Sequence, residues 1–320
     1  MKNLRKINII IPCFNEEASL PFLIDALNTV SEQLEGRYQL DIMLINDGSS
    51  DKTQSVINKL SKQEHIYYRE FARNMGHQAA LRAGLDVSLG YDAAIMMDAD
   101  MQHPPELIPE ILKAWEGGAK IVQMIRKDNL QDVGIVKYSL SHFYYALINL
   151  ISDLKLEYGA SDFRLIDNKA ISMVYESPEK DLFLRGYFAW LPISRTTIIY
   201  KPNKRIAGKS NYTFRKSLGL ANTSILQFSD KPLRLTAMLG IGLSMIAFIY
   251  GITLIILHLL GSYTVRGWTS LMVVVLFCFG VIITILGVIG SYLARSIDIQ
   301  KKRPEFIAEK EKIPEIIPFP

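Results

Sequence analysis

Three short polar segments, each following an apolar run, hold side chains that can do chemistry. They are Pro12-Cys13-Phe14-Asn15-Glu16-Glu17, Asn46-Asp47-Gly48-Ser49-Ser50-Asp51 and Asp98-Ala99-Asp100-Met101-Gln102. An Asp-x-Asp turn after a strand lets two carboxylates reach the same side, one to a hard divalent cation and one to a ribose or the ion's water shell. Mg²⁺ and Mn²⁺ take oxygen ligands and usually bridge to substrate phosphates, so few protein ligands are needed. Asp98 and Asp100 also suit a simpler role, capping a helix that begins at Pro104-Pro105. His103 follows closely enough to approach such an ion, whereas His65, His142 and His258 are isolated and suit core or interface roles.

The elements that must position these loops alternate. Apolar runs at 7–11, 40–45, 66–70, 93–97 and 120–125 read as strands, and helical patterns at 17–34, 52–60, 78–89 and 105–115 separate them. Such repetition predicts a mostly parallel sheet covered on both faces, with ligand bound beyond the carboxyl ends of the strands. Cys13 falls at a strand end and Cys278 in an apolar stretch, so neither a disulfide framework nor a thiolate metal site is available.

Two uncharged apolar runs, 235–260 and 267–294, are each long enough to span ~30 Å of hydrocarbon, and only His258 interrupts them with a titratable group. The link 261–266 is so short that the two helices must form a hairpin. Lys231, Arg234, Arg295, Lys301, Lys302 and Arg303 flank its outer ends against a lone Arg266 in the loop, so both termini are expected in the cytoplasm. The basic amino terminus is followed by too short an apolar stretch for a signal peptide. Formal net charge is only +4, with basic residues clustered over 201–234, which fits a membrane surface or a phosphate ligand better than nucleic acid. Phe214, Leu218, Ala221, Ile225 and Phe228 form an apolar stripe on a helix expected to lie in the interface. Removing the spans leaves about 230 residues, enough for one sizeable α/β domain. The charged, proline-containing tail 299–320 is expected to be mobile.

With Arg73-Asn74-Met75-Gly76-His77, Ser161-Asp162-Phe163-Arg164-Leu165 and Phe183-Leu184-Arg185-Gly186, the three acidic segments make six ordered motifs. Together they resemble the family 2 glycosyltransferases, specifically the polyprenyl-phosphate hexose synthases, through nearly the whole chain. The resemblance implies a type A glycosyltransferase fold, α/β and Rossmann-like with a mostly parallel sheet, over 1–212. An amphipathic juxtamembrane helix (213–230), two transmembrane helices (235–260 and 267–294) and a cytoplasmic tail (295–320) would follow. It implies a membrane enzyme that transfers a hexose with inversion from a nucleoside diphosphate sugar, UDP-linked by preference, to undecaprenyl phosphate. Pro12, Asn15, Glu16, Asp47, Asp98 and Gln102 would bind the nucleotide sugar, and Asp100 with Asp98 the Mg²⁺ or Mn²⁺. Asp162 stands where the family places its proposed base, though it also suits acceptor orientation or a cap for a helix over 167–175. An acceptor phosphate needs cationic partners, for which Arg126, Arg185, Arg205, Lys209 and Ser210 are candidates. The family's Arg-x-x-Gly-x-Ser/Thr-Lys loop departs here at Asn211, with Lys209 and Arg215 nearby. Two other readings are a membrane polysaccharide synthase, for which only Arg185-Gly186-Tyr187-Phe188-Ala189-Trp190 partly matches the expected motif, and a non-catalytic scaffold that binds a nucleotide sugar. The sugar, the oligomeric state and the need for a downstream flippase or second glycosyltransferase stay open.

Overall fold

The structure, a computed structural model, describes residues 4–127, 157–179, 182–203, 228–260, 267–301 and 303–315. The expected alternation is present as β1 (Arg5–Cys13), α1 (Leu20–Gln33), β2 (Tyr38–Asn46), α2 (Thr53–Leu60), β3 (Ile66–Phe71), α3 (His77–Asp86) and β4 (Ala93–Met96). A 3₁₀ turn, Pro105–Leu107, then leads into α4 (Ile108–Glu116) and β5 (Ile121–Arg126). Every residue of β1 from Ile7 onward is buried, as a strand covered on both faces must be. Leu20, Leu23, Ile24, Leu27 and Val30 recur at helical spacing on the buried side of α1. On the other face α3 lies directly against β1, because at Gly84 a Cβ would run into the Ile10 side chain.

β6 (Ala160–Asp167), α5 (Asn168–Glu176), α6 (Leu184–Trp190) and β7 (Arg195–Tyr200) complete the domain, and of these only α5 corresponds to an expected segment, the helix over 167–175. With β8 (Ala308–Lys312) the sheet order is β7-β5-β6-β4-β1-β2-β3-β8. β6 runs antiparallel to both β4 and β5, and β8 antiparallel to β3; the other pairings are parallel. This is the type A glycosyltransferase architecture that the motifs imply. From β1 the chain builds outward through β2 and β3, then returns to place β4 on the other side. The crevice beyond the carboxyl ends of β1 and β4 is therefore the switch point at which such sheets bind ligands.

Part of the tail expected to be mobile is an edge strand. β8 pairs with β3, Arg69 Nε donates to Glu311 Oε2 at 2.7 Å, and Lys312 Nζ donates to the Ser61 carbonyl at 2.6 Å. Phe306 stacks on Phe71 with centroids 5.2 Å apart. The sequence Ala-Glu-Lys-Glu-Lys has little strand preference of its own; the open edge of β3 supplies the partner, and the charges blunt the new edge.

The apolar runs form α7 (Lys231–Leu259) and α8 (Trp268–Gln300); α7 starts four residues ahead of its uncharged run and α8 continues six residues past its own. Tyr292 donates its hydroxyl to the Ser229 carbonyl at 2.8 Å, and Gly240 lies beside Ile285, so the helices run antiparallel. Both are long and apolar enough to cross a membrane, and none of their most apolar windows is buried within the protein. The expected interfacial helix over 213–227, the connecting loop 261–266 and the His142 and Arg266 positions lie outside the described residues.

Candidate active site

The loop after β1 is tied to the loop after β2 by reciprocal hydrogen bonds. Asn15, held at φ 58°, donates its N–H to Ser49 Oγ at 3.0 Å and accepts from the Ser50 N–H at 2.9 Å. The Glu16 N–H donates to Thr53 Oγ1 at 2.8 Å, while its carboxylate accepts from Ser19 Oγ at 2.5 Å. Pro12 is buried at the end of β1, paired with Ile45 of β2.

Asp47, expected at the nucleobase, is also a structural anchor. Its carboxylate accepts from the N–H groups of Met75 (2.6 Å) and Gly76 (3.0 Å), which brings the turn after β3 to the switch point. Burial raises its pKa, against the lowering effect of those two N–H donors and of His77. Gly48 allows the same approach: at φ 64° it takes a left-handed conformation, and a Cβ there would strike the Arg73 backbone.

In the loop after β4, Asp98 stands partly exposed at the mouth and Asp100 is buried, its Oδ1 accepting from the Gln102 N–H at 3.0 Å. Neither caps the following helix. Pro104 occupies the N-cap of the 3₁₀ turn and no side chain caps it, so the capping reading is corrected. His103 is a prop for this loop: its Nδ1 accepts from the Asp98 N–H at 2.8 Å and its ring stacks on Phe163 at 5.0 Å. Arg126, at the end of β5, reaches Gln102 Oε1 at 3.4 Å and so stands beside the Asp-x-Asp turn.

β6 runs against its neighbours, so its first residues arrive at this same edge. There Asp162, 3% exposed, accepts two hydrogen bonds from Arg185 of α6, at 2.8 Å from Nε and 2.7 Å from Nη2. Burial alone would raise the Asp162 pKa, but the Arg185 charge and hydrogen bonds, with His77, hold it well below the usual carboxylate range. The buried Arg164 adds a second guanidinium 3.5 Å from Asp162, with its Cζ 5.3 Å from the centre of the Phe188 ring. Asp162 is not a helix cap: α5 is capped by Asp167, which accepts from the Lys169 N–H. Arg185, proposed from sequence as a phosphate ligand, is thus bound first to a carboxylate.

His77 is the functional residue that sequence reasoning passed over. At the first position of α3, it lies 3.3 Å from Asp162 Oδ2 and 3.7 Å from Asp98 Oδ1, bridging the loops after β4 and at the start of β6. Loss of water disfavours its charged form, yet the Asp162 hydrogen bond and the Asp98 and Asp162 charges outweigh that, and its pKa is raised. Its only signal in the sequence is its place at the end of the Arg73 to His77 motif. Arg205, Lys209 and Ser210 lie outside the described residues.

Among the described residues no three metal-ligating side chains cluster. Two hard oxygen donors at one mouth, Asp98 and Asp100, nevertheless suit a divalent ion whose remaining ligands come from substrate phosphates and water.

The chain is similar in sequence to known proteins. The model of the family described as "Glycosyl transferase family 2" matches residues 8–174. A "Prophage bactoprenol glucosyl transferase homolog" of Escherichia coli K12 is 36% identical over 308 residues, covering 96% of this chain and 99% of that protein. The "Bactoprenol glucosyl transferase" of Shigella phage SfV aligns with the same identity and coverage. An "Uncharacterized glycosyltransferase YkcC" of Bacillus subtilis is 34% identical over 95% of this chain and 93% of its own length.

Proposed function

The chain belongs to glycosyl transferase family 2 and is a glycosyltransferase; from that premise we propose that it transfers a hexose, with inversion, from a UDP-linked donor to undecaprenyl phosphate at the cytoplasmic membrane face. Two relatives named for bactoprenol glucosyl transfer align over nearly their whole length, apolar hairpin included, and this supports a lipid acceptor. The observation that carries the reading is the bridge His77–Asp162–Arg185 beside the Asp-x-Asp turn: cations and carboxylates of the donor and acceptor sides meet at one edge of the sheet.

The nucleotide sugar sits in the switch-point crevice against Pro12, Asn15, Glu16, Asp47, Asp98 and Gln102. Asp98 and Asp100 would hold a Mg²⁺ or Mn²⁺, which when bound would supply Lewis-acid stabilisation of the leaving oxygen. An acceptor phosphate oxygen attacks the anomeric carbon, a carbon–oxygen bond forms, and the bond to the nucleoside diphosphate breaks with its electron pair on the departing phosphate. Arg126 steadies the charge near Gln102, and Arg205, Lys209 and Ser210 are the further cationic and hydroxyl partners proposed for the incoming phosphate.

No strong base is required. A phosphate monoester with a second pKa near ~6 is mostly dianionic at neutral pH. A carboxylate whose pKa is pushed far down is a poor proton acceptor, so Asp162 serves as the anionic centre that holds Arg185 and His77 in place. The basic flanks of α7 and α8 support a cytoplasmic position for both termini and for this edge.

The test is to incubate detergent-purified full-length protein with Mn²⁺ or Mg²⁺, undecaprenyl phosphate and labelled UDP- and GDP-sugars, and to count label entering the organic phase. Metal-dependent transfer of one sugar is expected. Free sugar or polymer without a lipid product would favour polysaccharide synthesis, and no reaction with any donor would favour the non-catalytic scaffold.

A further inference from the structure

α6 has two working sides. Arg185 points to Asp162, whereas Tyr187 and Trp190 turn to a cavity of about 890 Å³ between the catalytic domain and the apolar hairpin. Phe228 and Tyr292 complete an aromatic wall, and Glu176, Glu179 and Asp230 add carboxylates. The cavity belongs to the junction itself. Arg295 of α8 donates to Glu179 at 3.1 Å, and Tyr292 ties the end of α8 to Ser229, just ahead of α7. Trp190 is 59% exposed, and rings of this kind with a polar tip favour the headgroup level of a bilayer.

The contents of this wall select a ligand. Glu179 and Asp230 are each paired with an arginine, Arg295 and Arg234, so among the described residues the uncompensated charge of the wall is that of Glu176, and a carboxylate among aromatic rings recognises an ammonium group by charge and cation–π attraction. Arg234 and Arg295, the partners of Asp230 and Glu179, put positive charge beside that carboxylate, so a zwitterion meets both signs of charge. The apolar surface of α7 begins at the same place, within reach of an acyl chain.

We propose that this cavity binds a bilayer lipid with an ammonium headgroup, separately from the polyprenyl phosphate acceptor. Because the same short helix carries Arg185, a seated lipid fixes the helix that holds Asp162 and so links membrane composition to the active-site edge. That link rests on the proposed glycosyl transfer; the binding does not.

The experiment is equilibrium binding of radiolabelled short-chain phosphatidylethanolamine and phosphatidylglycerol to detergent-purified full-length protein, with and without saturating undecaprenyl phosphate. Saturable binding of phosphatidylethanolamine about tenfold tighter than phosphatidylglycerol is expected, as one cation–π contact with a carboxylate neighbour would give. Undecaprenyl phosphate should not displace it. Glu176→Lys, at an exposed position, should abolish the preference, and Trp190→Ala should weaken binding. Equal or tighter binding of phosphatidylglycerol, competitive displacement by undecaprenyl phosphate, absence of saturation, or a preference untouched in both variants would each overturn the proposal. No readout depends on sugar transfer, so a failed transfer assay leaves this result interpretable.

Discussion

The two edges of the one sheet carry aspartates in opposite ways. At the edge where β1, β2 and β4 begin, Asp41 accepts from the Tyr91 hydroxyl at 2.7 Å, contacts His65 at 2.7 Å and accepts from Gln39. Asp167, at the end of the antiparallel β6, accepts from Trp115 at 2.8 Å and Lys120 at 3.0 Å. Each is surrounded by local donors that hold elements together. At the far edge, Asp47, Asp98, Asp100 and Asp162 converge from three segments, the loops after β2 and β4 and the start of β6, and His77 lies between two of them. Residue type does not distinguish the sets; position along the strand does, since loops at the carboxyl ends of parallel strands share one crevice.

Substitutions at the two edges should therefore separate activity from stability. The largest effect is expected for Asp100→Ala, which should lower transfer by about 10²–10³-fold, as loss of one preorganised electrostatic group does, with little change in melting temperature. Steady-state kinetics beside thermal melts will show whether the two readouts part.

Asp162→Asn should cost both. It leaves Arg185 and the buried Arg164 without their counter-charge, a loss of ~3 kcal/mol at neutral pH, and lowers turnover by about tenfold or more. The pH dependence has a definite sign. Because the folded-state pKa of Asp162 is depressed, its contribution is complete above the unfolded value of ~4 and is lost as pH falls through the folded value. Denaturant melts of parent and variant should thus converge on acidification below about pH 4; a constant gap would mean that the carboxylate's charge is not what stabilises.

At the opposite edge, Asp41→Ala should destabilise by ~2 kcal/mol by stranding Tyr91 and His65, yet leave turnover of the folded fraction near the parent's. A selective loss of turnover would break the division between edges. The smallest effect is expected for Phe306→Ala, which removes the stack on Phe71: about 1 kcal/mol, seen as a lower melting temperature with donor affinity little changed.

Much of this was legible beforehand because parallel strands are continuous apolar runs and their loops carry the chemistry. The sequence spans for β1 to β5 coincide with the observed strands to within a few residues. The Asp162–Arg185 pair was not legible as a pair. Its partners are 23 residues apart in sequence, and their meeting depends on β6 reversing direction and on where α6 packs. The role of β8 was hidden for the same reason, since its pairing comes from the edge of β3 and not from its own residues.

The central claim is that Asp162 organises the cations of the site and leaves the acceptor phosphate to attack unaided. The most direct measurement is the pH dependence of the single-turnover transfer rate, between about pH 5 and 8, for the parent and Asp162→Asn. Both should show the same acidic limb near the acceptor's second pKa of ~6, with the variant displaced downward throughout. Disappearance of that limb in Asp162→Asn would identify Asp162 as the proton acceptor and contradict the account.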